Sequence, residues 1–243
     1  MAEAIQVNCK RINRILIQKT NHTDKKIELI IDMARKHSIP FTFVPKEKFK
    51  KFEEYSHQGI VAYVSPVEYT ELDDFLAKEK KNKKIVILDG VEDPHNVGSI
   101  IRTCVCAGYD AVILPKHRAS LINATVEKAS AGSVNLIDII LVNSIQNTLT
   151  VLKDNDFWII ASVISEADNY YDIDYTDMNF ALIMGGENSG ISSTCVKNSD
   201  FRVRIPMYNN FNSLNVANAA SVIIFESIRQ TVTKCKDKNY EKK

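Results

Sequence analysis

The sequence predicts a layered α/β protein in two modules, and three observations predict it. Short β-branched runs such as KIVILDG (84–90), NLIDIILV (135–142) and FWIIASVI (157–164) are separated by segments of helical apolar spacing. These runs are apolar almost throughout, the pattern of strands buried on both faces of a parallel sheet. Charge is also divided along the chain. Residues 1–84 carry 17 Lys/Arg against 12 Asp/Glu, and residues 85–233 carry 9 against 16, so a basic front module precedes a more acidic body.

In the front module, TDKKIELIIDMARKHSIP (23–40) reads as a helix with Thr23 or Asp24 as its cap. Ile27, Ile30, Ile31 and Ala34 share one face, and Pro40 lies just beyond its end. FTFV (41–44) follows as a strand, PKEKFKKFEEY as a short basic helix, and GIVAYV (59–64) as a second strand. The charged segment EYTELDDFLAKEKKNKK reads as a surface helix and linker. The organisation expected is a front domain at 1–66, a linker at 67–84 and a second domain at 85–243.

Composition bounds the function. A chain of 243 residues with 45% hydrophobic and 25% charged residues is that of an ordinary soluble protein with a substantial core. No run approaches the 18 or so apolar residues of a membrane span, and the N-terminus lacks a signal-peptide core. Five cysteines (Cys9, Cys104, Cys106, Cys195, Cys235) form no CxxC pair and leave one odd. A disulfide framework or metal site is therefore not expected, and the cytoplasm is.

The second module adds strand candidates AVIL (111–114), FALIM (180–184) and FRVRIP (201–206). In open α/β sheets ligands gather at the carboxyl ends of strands, and three segments stand there. In LDGVEDPHNVGSIIRTCVCAGYDAVIL (88–114), Asn96 is a candidate cap for a helix striped by Val97, Ile100, Ile101, Cys104 and Val105. Arg102 lies off the stripe, and on residue type alone a solvated arginine accounts for it. ALIMGGENSGIS (181–192) carries glycines that allow close backbone approach. It has no Gly-Lys-Ser/Thr and no GxGxxG, so a phosphate cradle is disfavoured, as is a dinucleotide-binding oxidoreductase. PMYNNFNSLNVANAAS (206–221) leads into a helix, with Ser213 as the candidate cap and Leu214, Ala217, Ala220, Ile224 and Ile228 as its apolar pattern. Asparagine is abundant everywhere, 20 of 243 residues, so this run is partly compositional.

Taken together, HNVGSIIRT, GGENSG and IPMYNNFNSLNVA resemble the three motifs of the SpoU/TrmH family of RNA ribose 2′-O-methyltransferases, within the SPOUT superfamily. The match covers roughly residues 84–232, in family order. RINRILI, IPFTFVPKEKF and HQGIVAYV in the front module resemble the substrate-binding domain of the RlmB-like 23S rRNA guanosine methyltransferases. The usual Gly-Arg/Lys-Asn start and first helix look shortened or missing. Asn209 stands where the family commonly has Gly, and Ala217 where it has Ser. Asparagine tolerates left-handed backbone, so the loop shape is expected to survive.

The resemblance implies a SPOUT-type parallel sheet with a C-terminal trefoil knot, a homodimer with its site near the subunit interface, and S-adenosylmethionine as cofactor without metal. It places Gly185, Gly186, Ile205, Met207 and Leu214 around the cofactor, and Asn96, Arg102, Glu187, Ser213 and Asn215 at the polar active-site positions. Large-subunit rRNA, at a guanosine, is the expected substrate. A tRNA methyltransferase and a catalytically weak ribosome-assembly protein are the alternatives. Arginine is a poor proton acceptor, so Arg102 is expected to bind phosphate and stabilise the developing alkoxide. Glu187 is expected to orient Asn96 or Asn215 rather than act as a base, with a carboxylate that merely caps loop amides as the equal alternative. His57 and Gln58 read equally as RNA contacts or as a structural pair, and His95, next to Asn96, reads as a cap of its loop.

Overall fold

In the computed structural model, which describes residues 2–19, 25–52, 57–117, 119–187, 189–208 and 213–240, the chain divides into two units after Val67. In the first, helix α1 (Ala2–Asn8) precedes strand β1 (Ile12–Gln18), helix α2 (Lys25–Lys36), strand β2 (Phe41–Val44) and strand β3 (Ile60–Val64). The strand order is β2-β1-β3, with β2 parallel and β3 antiparallel to β1. Ile15 and Ile17 of β1 pack with Ile5 of α1 and with Ile30, Ile31 and Ala34 of α2. The helical spacing in α2 thus does what the sequence indicates; the candidate caps, Thr23 or Asp24, lie outside the described residues. The other face of the sheet, Leu16 and Val44, is covered by Phe49.

Of the two readings of the first helix, shortened or missing, the second is excluded: it is present, seven residues long. The basic segment after β2 is a 3-10 helix, Lys46–Phe52, that presents Phe49 to the sheet.

The second unit holds helix α3 (Leu72–Leu76), strand β4 (Lys84–Asp89), helix α4 (Pro94–Cys106), strand β5 (Ala111–Pro115) and helix α5 (Ala124–Ala129). Strand β6 (Asp138–Val142), helix α6 (Ile145–Asp154), strand β7 (Phe157–Ser162) and the two-residue strand β8 (Asp168–Asn169) follow. Strand β9 (Asn179–Gly185), helix α7 (Ser193–Lys197), strand β10 (Phe201–Arg204) and helix α8 (Val216–Tyr240) complete it. The seven strands run β6-β5-β4-β9-β7-β10-β8, parallel at every pairing. Six of them coincide with the apolar runs of the sequence; β8 is too short and polar to announce itself.

Strand alternation splits the buried residues between two faces. Ile85, Ile87, Ile113, Ile140, Ile159 and Ile183 pack with Leu149 and Leu152 of α6 and Phe75 of α3. On the other side α4 packs on β5 and α8 on β9, and Tyr109 reaches Ser227 of α8 through a buried hydroxyl–hydroxyl contact of 3.0 Å. Residues 67–84, read as a linker, are built into this unit from Glu68 onward. Thr70 N–H donates to the Ile139 carbonyl at 2.9 Å, and Phe75 is 1% exposed. Lys83 Nζ closes the end of α3 by donating to the Phe75 and Leu76 carbonyls. The apolar residues Leu72, Phe75 and Leu76 have helical spacing, but surrounding charge conceals it.

Candidate functional site

Because β4, β9 and β10 are parallel and near neighbours, the loops leaving their carboxyl ends meet. The loop after β4 turns through Gly90, at φ +77°, and Asp93 then starts α4. The Asp93 carboxylate accepts from His95 N–H and Asn96 N–H at 3.2 and 3.3 Å. Asp93, not Asn96, is therefore the cap. Its negative charge at the helix start is favoured on the same grounds as its hydrogen bonds. Asn96 sits one turn in, 8% exposed, with its side chain free to face the next loop.

That loop, after β9, presses against the first. Gly186 N–H donates to the Asp89 carbonyl at 2.9 Å, and Gly190 N–H to the Gly186 carbonyl at 2.8 Å. A Cβ on Gly186 would lie 2.0 Å from the Gly90 carbonyl oxygen; one on Gly185 would lie 2.3 Å from the Gly190 carbonyl carbon. The glycines are required because backbone meets backbone here. The consequence is the placement of Glu187, whose Oε1 accepts from Asn96 Nδ2 at 2.9 Å.

The third loop delivers Asn215. Its Oδ1 accepts from Ala217 N–H at 3.0 Å and Asn218 N–H at 3.4 Å, so Asn215 caps α8, a place the sequence suggested for Ser213. With its oxygen held by helix N–H groups, its Nδ2 is left to donate to Glu187 Oε1 at 2.8 Å and to Asn96 Oδ1 at 3.0 Å. One polar residue from each loop thus joins a closed triangle, Asn96–Glu187–Asn215.

Beside the triangle lies a cavity of about 300 Å³. Gly185, Gly186, Ile205, Met207 and Leu214 all line it, as do Glu187 and Ser213. Asn96 and Asn215 stand behind Glu187. Leu214 lines the cavity and does not join the buried stripe of α8. The wall formed by Ser162, Val163 and Ile164, at the end of β7, escaped the sequence reading. The strand itself was recognisable, but only its position next to β9 makes its end part of the site.

Arg102 is placed differently. Six residues beyond Asn96, it is carried about 9 Å along α4 and about 240° around it. It is exposed and, among the described residues, forms no hydrogen bond or ion pair. His95 is exposed with its N–H on Asp93. His57 Nδ1 accepts from Gly59 N–H at 3.0 Å, and its ring lies 4.9 Å from that of Phe49. Gln58 takes a left-handed turn at φ 47°. Asn209 lies outside the described residues.

The lining suits one kind of ligand. Glu187 is the one charged side chain among the lining residues, and no lysine or arginine is present. Val163, Ile164, Met184, Ile205 and Leu214 supply apolar walls, and Ser162 and Ser213 supply hydroxyls. A flat heteroaromatic group with a cationic appendage fits such a cavity; a polyphosphate, with nothing to neutralise it, does not. Among the described residues no group of three or more His, Cys, Asp or Glu is arranged to hold a metal, and no helix is long and apolar enough to cross a membrane.

The chain is similar to known proteins in both sequence and fold. Residues 83–225 match the model of the SpoU rRNA Methylase family, and residues 2–70 match that of RNA 2′-O ribose methyltransferase substrate binding. A protein of Staphylococcus saprophyticus that carries the name TrmH family tRNA/rRNA methyltransferase is 39% identical over 231 residues, spanning 94% of this chain and 92% of its own. Among solved structures, the SpoU methyltransferase AviRb of Streptomyces viridochromogenes, in complex with AdoMet, shares the fold. Its TM-score is 0.79 at 21% identity, covering 96% of this chain and 89% of that one. The A. aeolicus TrmH/SpoU tRNA modifying enzyme aligns at TM-score 0.59 and 31% identity, covering 66% of this chain and 81% of that one.

Proposed function

This chain belongs to the SpoU rRNA Methylase family, and from that premise we propose that it methylates a ribose 2′-hydroxyl of large-subunit rRNA, at a guanosine, as a homodimer whose C-terminal unit is knotted. The observation that carries the reading is the Asn96–Glu187–Asn215 triangle at the rim of a cavity with no basic lining. S-adenosylmethionine is the cofactor, held by Gly185, Gly186, Ile205, Met207 and Leu214; when bound it supplies a methyl group on a positively charged sulfur. That charge and the adenosine ring match the apolar walls and the Glu187 carboxylate.

The protein's own work is alignment and the handling of one proton. Asn96 and Asn215 hold Glu187 in place, and Asn215 also fixes the start of α8 beside Ser213. Ser213 offers an exposed hydroxyl to ribose or phosphate. Arg102, exposed and without a hydrogen bond or ion pair among the described residues, binds the neighbouring phosphate and stabilises the charge that develops on the 2′-oxygen. A guanidinium does not take the proton at neutral pH, so a phosphate oxygen or water accepts it. The subunit interface is where Arg102 joins the site.

The test is direct. The protein is incubated with methyl-labelled S-adenosylmethionine and separated rRNA and tRNA, and the labelled nucleotide is mapped. Label on a ribose of large-subunit rRNA is expected. Label confined to tRNA would move the substrate assignment, and cofactor binding without transfer to either would favour a ribosome-assembly role.

A further inference from the structure

We propose that the first unit grips an unpaired stretch of the substrate RNA on the sheet face next to its 3-10 helix, with lysines on phosphates and Tyr63 under a base. This rests on the RNA reading above and specifies the surface and the form of RNA.

The 3-10 helix Lys46–Phe52 has the sequence KEKFKKF. At three residues per turn, Phe49 and Phe52 fall on one side, where Phe49 joins Leu16 and Val44 in the core. Lys46, Lys48, Lys50 and Lys51 are left exposed, with Glu47 the one acid between them. Among the described residues Lys46, Lys48 and Lys50 form no ion pair. The basic residues of α2 are interspersed with Glu28 and Asp32, and Arg35 pairs with Asp32 at 3.6 Å. Four lysines crowded on one short helix repel one another, and a polyanion relieves that repulsion.

The adjoining sheet surface supplies what a base needs. Tyr63 is 42% exposed. Lys51 Nζ donates to its hydroxyl at 3.0 Å and lies 4.8 Å from the centroid of the Phe52 ring. Arg14 stands opposite Tyr63 in the β1–β3 register, on the same face, and donates to Thr42 Oγ1 at 3.2 Å. An exposed ring with Lys51 at its hydroxyl, beside a lysine strip and with Arg14 on the neighbouring strand, is an arrangement that binds single-stranded RNA by stacking and phosphate contact. A duplex keeps its base faces stacked inside and offers Tyr63 nothing.

The experiment measures binding of the full-length protein to a short single-stranded RNA and to unmodified large-subunit rRNA over a range of salt. Lys46→Gln/Lys48→Gln/Lys50→Gln is expected to weaken binding about tenfold or more at physiological salt and to flatten the log–log salt slope by about 2. Tyr63→Ala is expected to lose about tenfold on the single strand, with Tyr63→Phe close to wild type because the ring remains. Lys25→Gln/Lys26→Gln, on α2, serves as the comparison and is expected to change the slope less. An unchanged slope in the triple variant, or Phe as damaging as Ala at position 63, overturns the proposal. Failure of the methyltransferase reading looks different: wild-type protein that transfers no methyl to RNA yet shows these binding losses leaves the surface standing.

Discussion

Asn215 holds Glu187 with one end of its side-chain amide and the first turn of α8 with the other. Its Nδ2 lies 2.8 Å from Glu187 Oε1, and its Oδ1 lies 3.0 Å from Ala217 N. Asn215→Asp separates the two duties. Aspartate caps a helix as well as asparagine does, so the melting temperature is expected to stay within a few degrees. The new carboxylate then faces Glu187 at hydrogen-bond distance without a donor, and turnover is expected to fall at least about a hundredfold, since misplacement near 1 Å costs that much. Asn215→Ala is expected to lose the cap as well, about 1 kcal/mol of stability, read by denaturant unfolding.

Much of this was legible in the sequence, for identifiable reasons. Residue type announced the close backbone approach at Gly185 and Gly186, whose geometry is set within a few residues; the site positions themselves, Glu187 among them, came from resemblance to the family's motifs. Capping was harder. Asp93 and Asn96, like Ser213 and Asn215, are all good caps within one turn of each other, and a shift of two or three residues in helix start decides between them. Ser162–Ile164 stayed hidden because the order β4-β9-β7 is a long-range outcome of topology that no local pattern records. Phe75 was hidden in another way: with Leu72 and Leu76 it makes only a short apolar stripe in a charged stretch, and it owes its burial to β6 and α6.

Glu187→Gln discriminates orientation from base catalysis. A glutamine carbonyl oxygen accepts the same two bonds that Glu187 Oε1 accepts from Asn96 and Asn215. If Glu187 orients the amides, kcat for Glu187→Gln is expected within about tenfold of wild type, whereas Glu187→Ala falls much further. Equal loss in both variants under single-turnover conditions would falsify the orienting role.

Gly98 and Gly186 are packing glycines whose replacement damages different things. A Cβ on Gly98 would lie 2.6 Å from Ala129 Cβ and 2.8 Å from the Val126 carbonyl, where α4 meets α5. Alanine is the better helix former by about 1 kcal/mol, but overpacking costs about 1–3 kcal/mol. Gly98→Ala is therefore expected to destabilise by up to about 2 kcal/mol with cofactor affinity little changed. Gly186→Ala, with its Cβ 2.0 Å from the Gly90 oxygen, must displace the cavity-lining loop. It is expected to weaken S-adenosylmethionine binding in calorimetry more than about tenfold, because the lining backbone shifts with it.

Thiol reactivity follows burial. Cys104 and Cys195 are buried, and desolvation pushes both thiols above their ordinary range; at Cys195 the nearby Asp89 charge acts in the same direction. A raised pKa leaves less thiolate at any given pH, so both are expected to resist a maleimide at pH about 8 while the folded protein is intact. Cys106, exposed at the end of α4, is expected to react before either of them. Mass spectrometry of peptides after a short pulse checks the order, and early labelling at Cys104 would contradict the packing of α4.

Arg102→Ala tests the step that the single chain leaves open. Arg102 does not line the cavity and contacts neither Asn96 nor Glu187, so its removal is expected to leave the S-adenosylmethionine dissociation constant within about twofold. In the proposed role its charge acts where phosphate and the developing alkoxide meet, a contribution of about 3–4 kcal/mol for a preorganised donor of this kind. Methyl transfer at saturating RNA is then expected to fall by about 10²–10³. Arg102→Lys keeps the charge but loses the planar fork that meets two oxygens at once, so it is expected to recover only part of the rate. Joint measurement of cofactor binding and single-turnover transfer decides the matter. Loss of binding in step with transfer would place Arg102 with the cofactor, and the phosphate-and-alkoxide role would have to be abandoned.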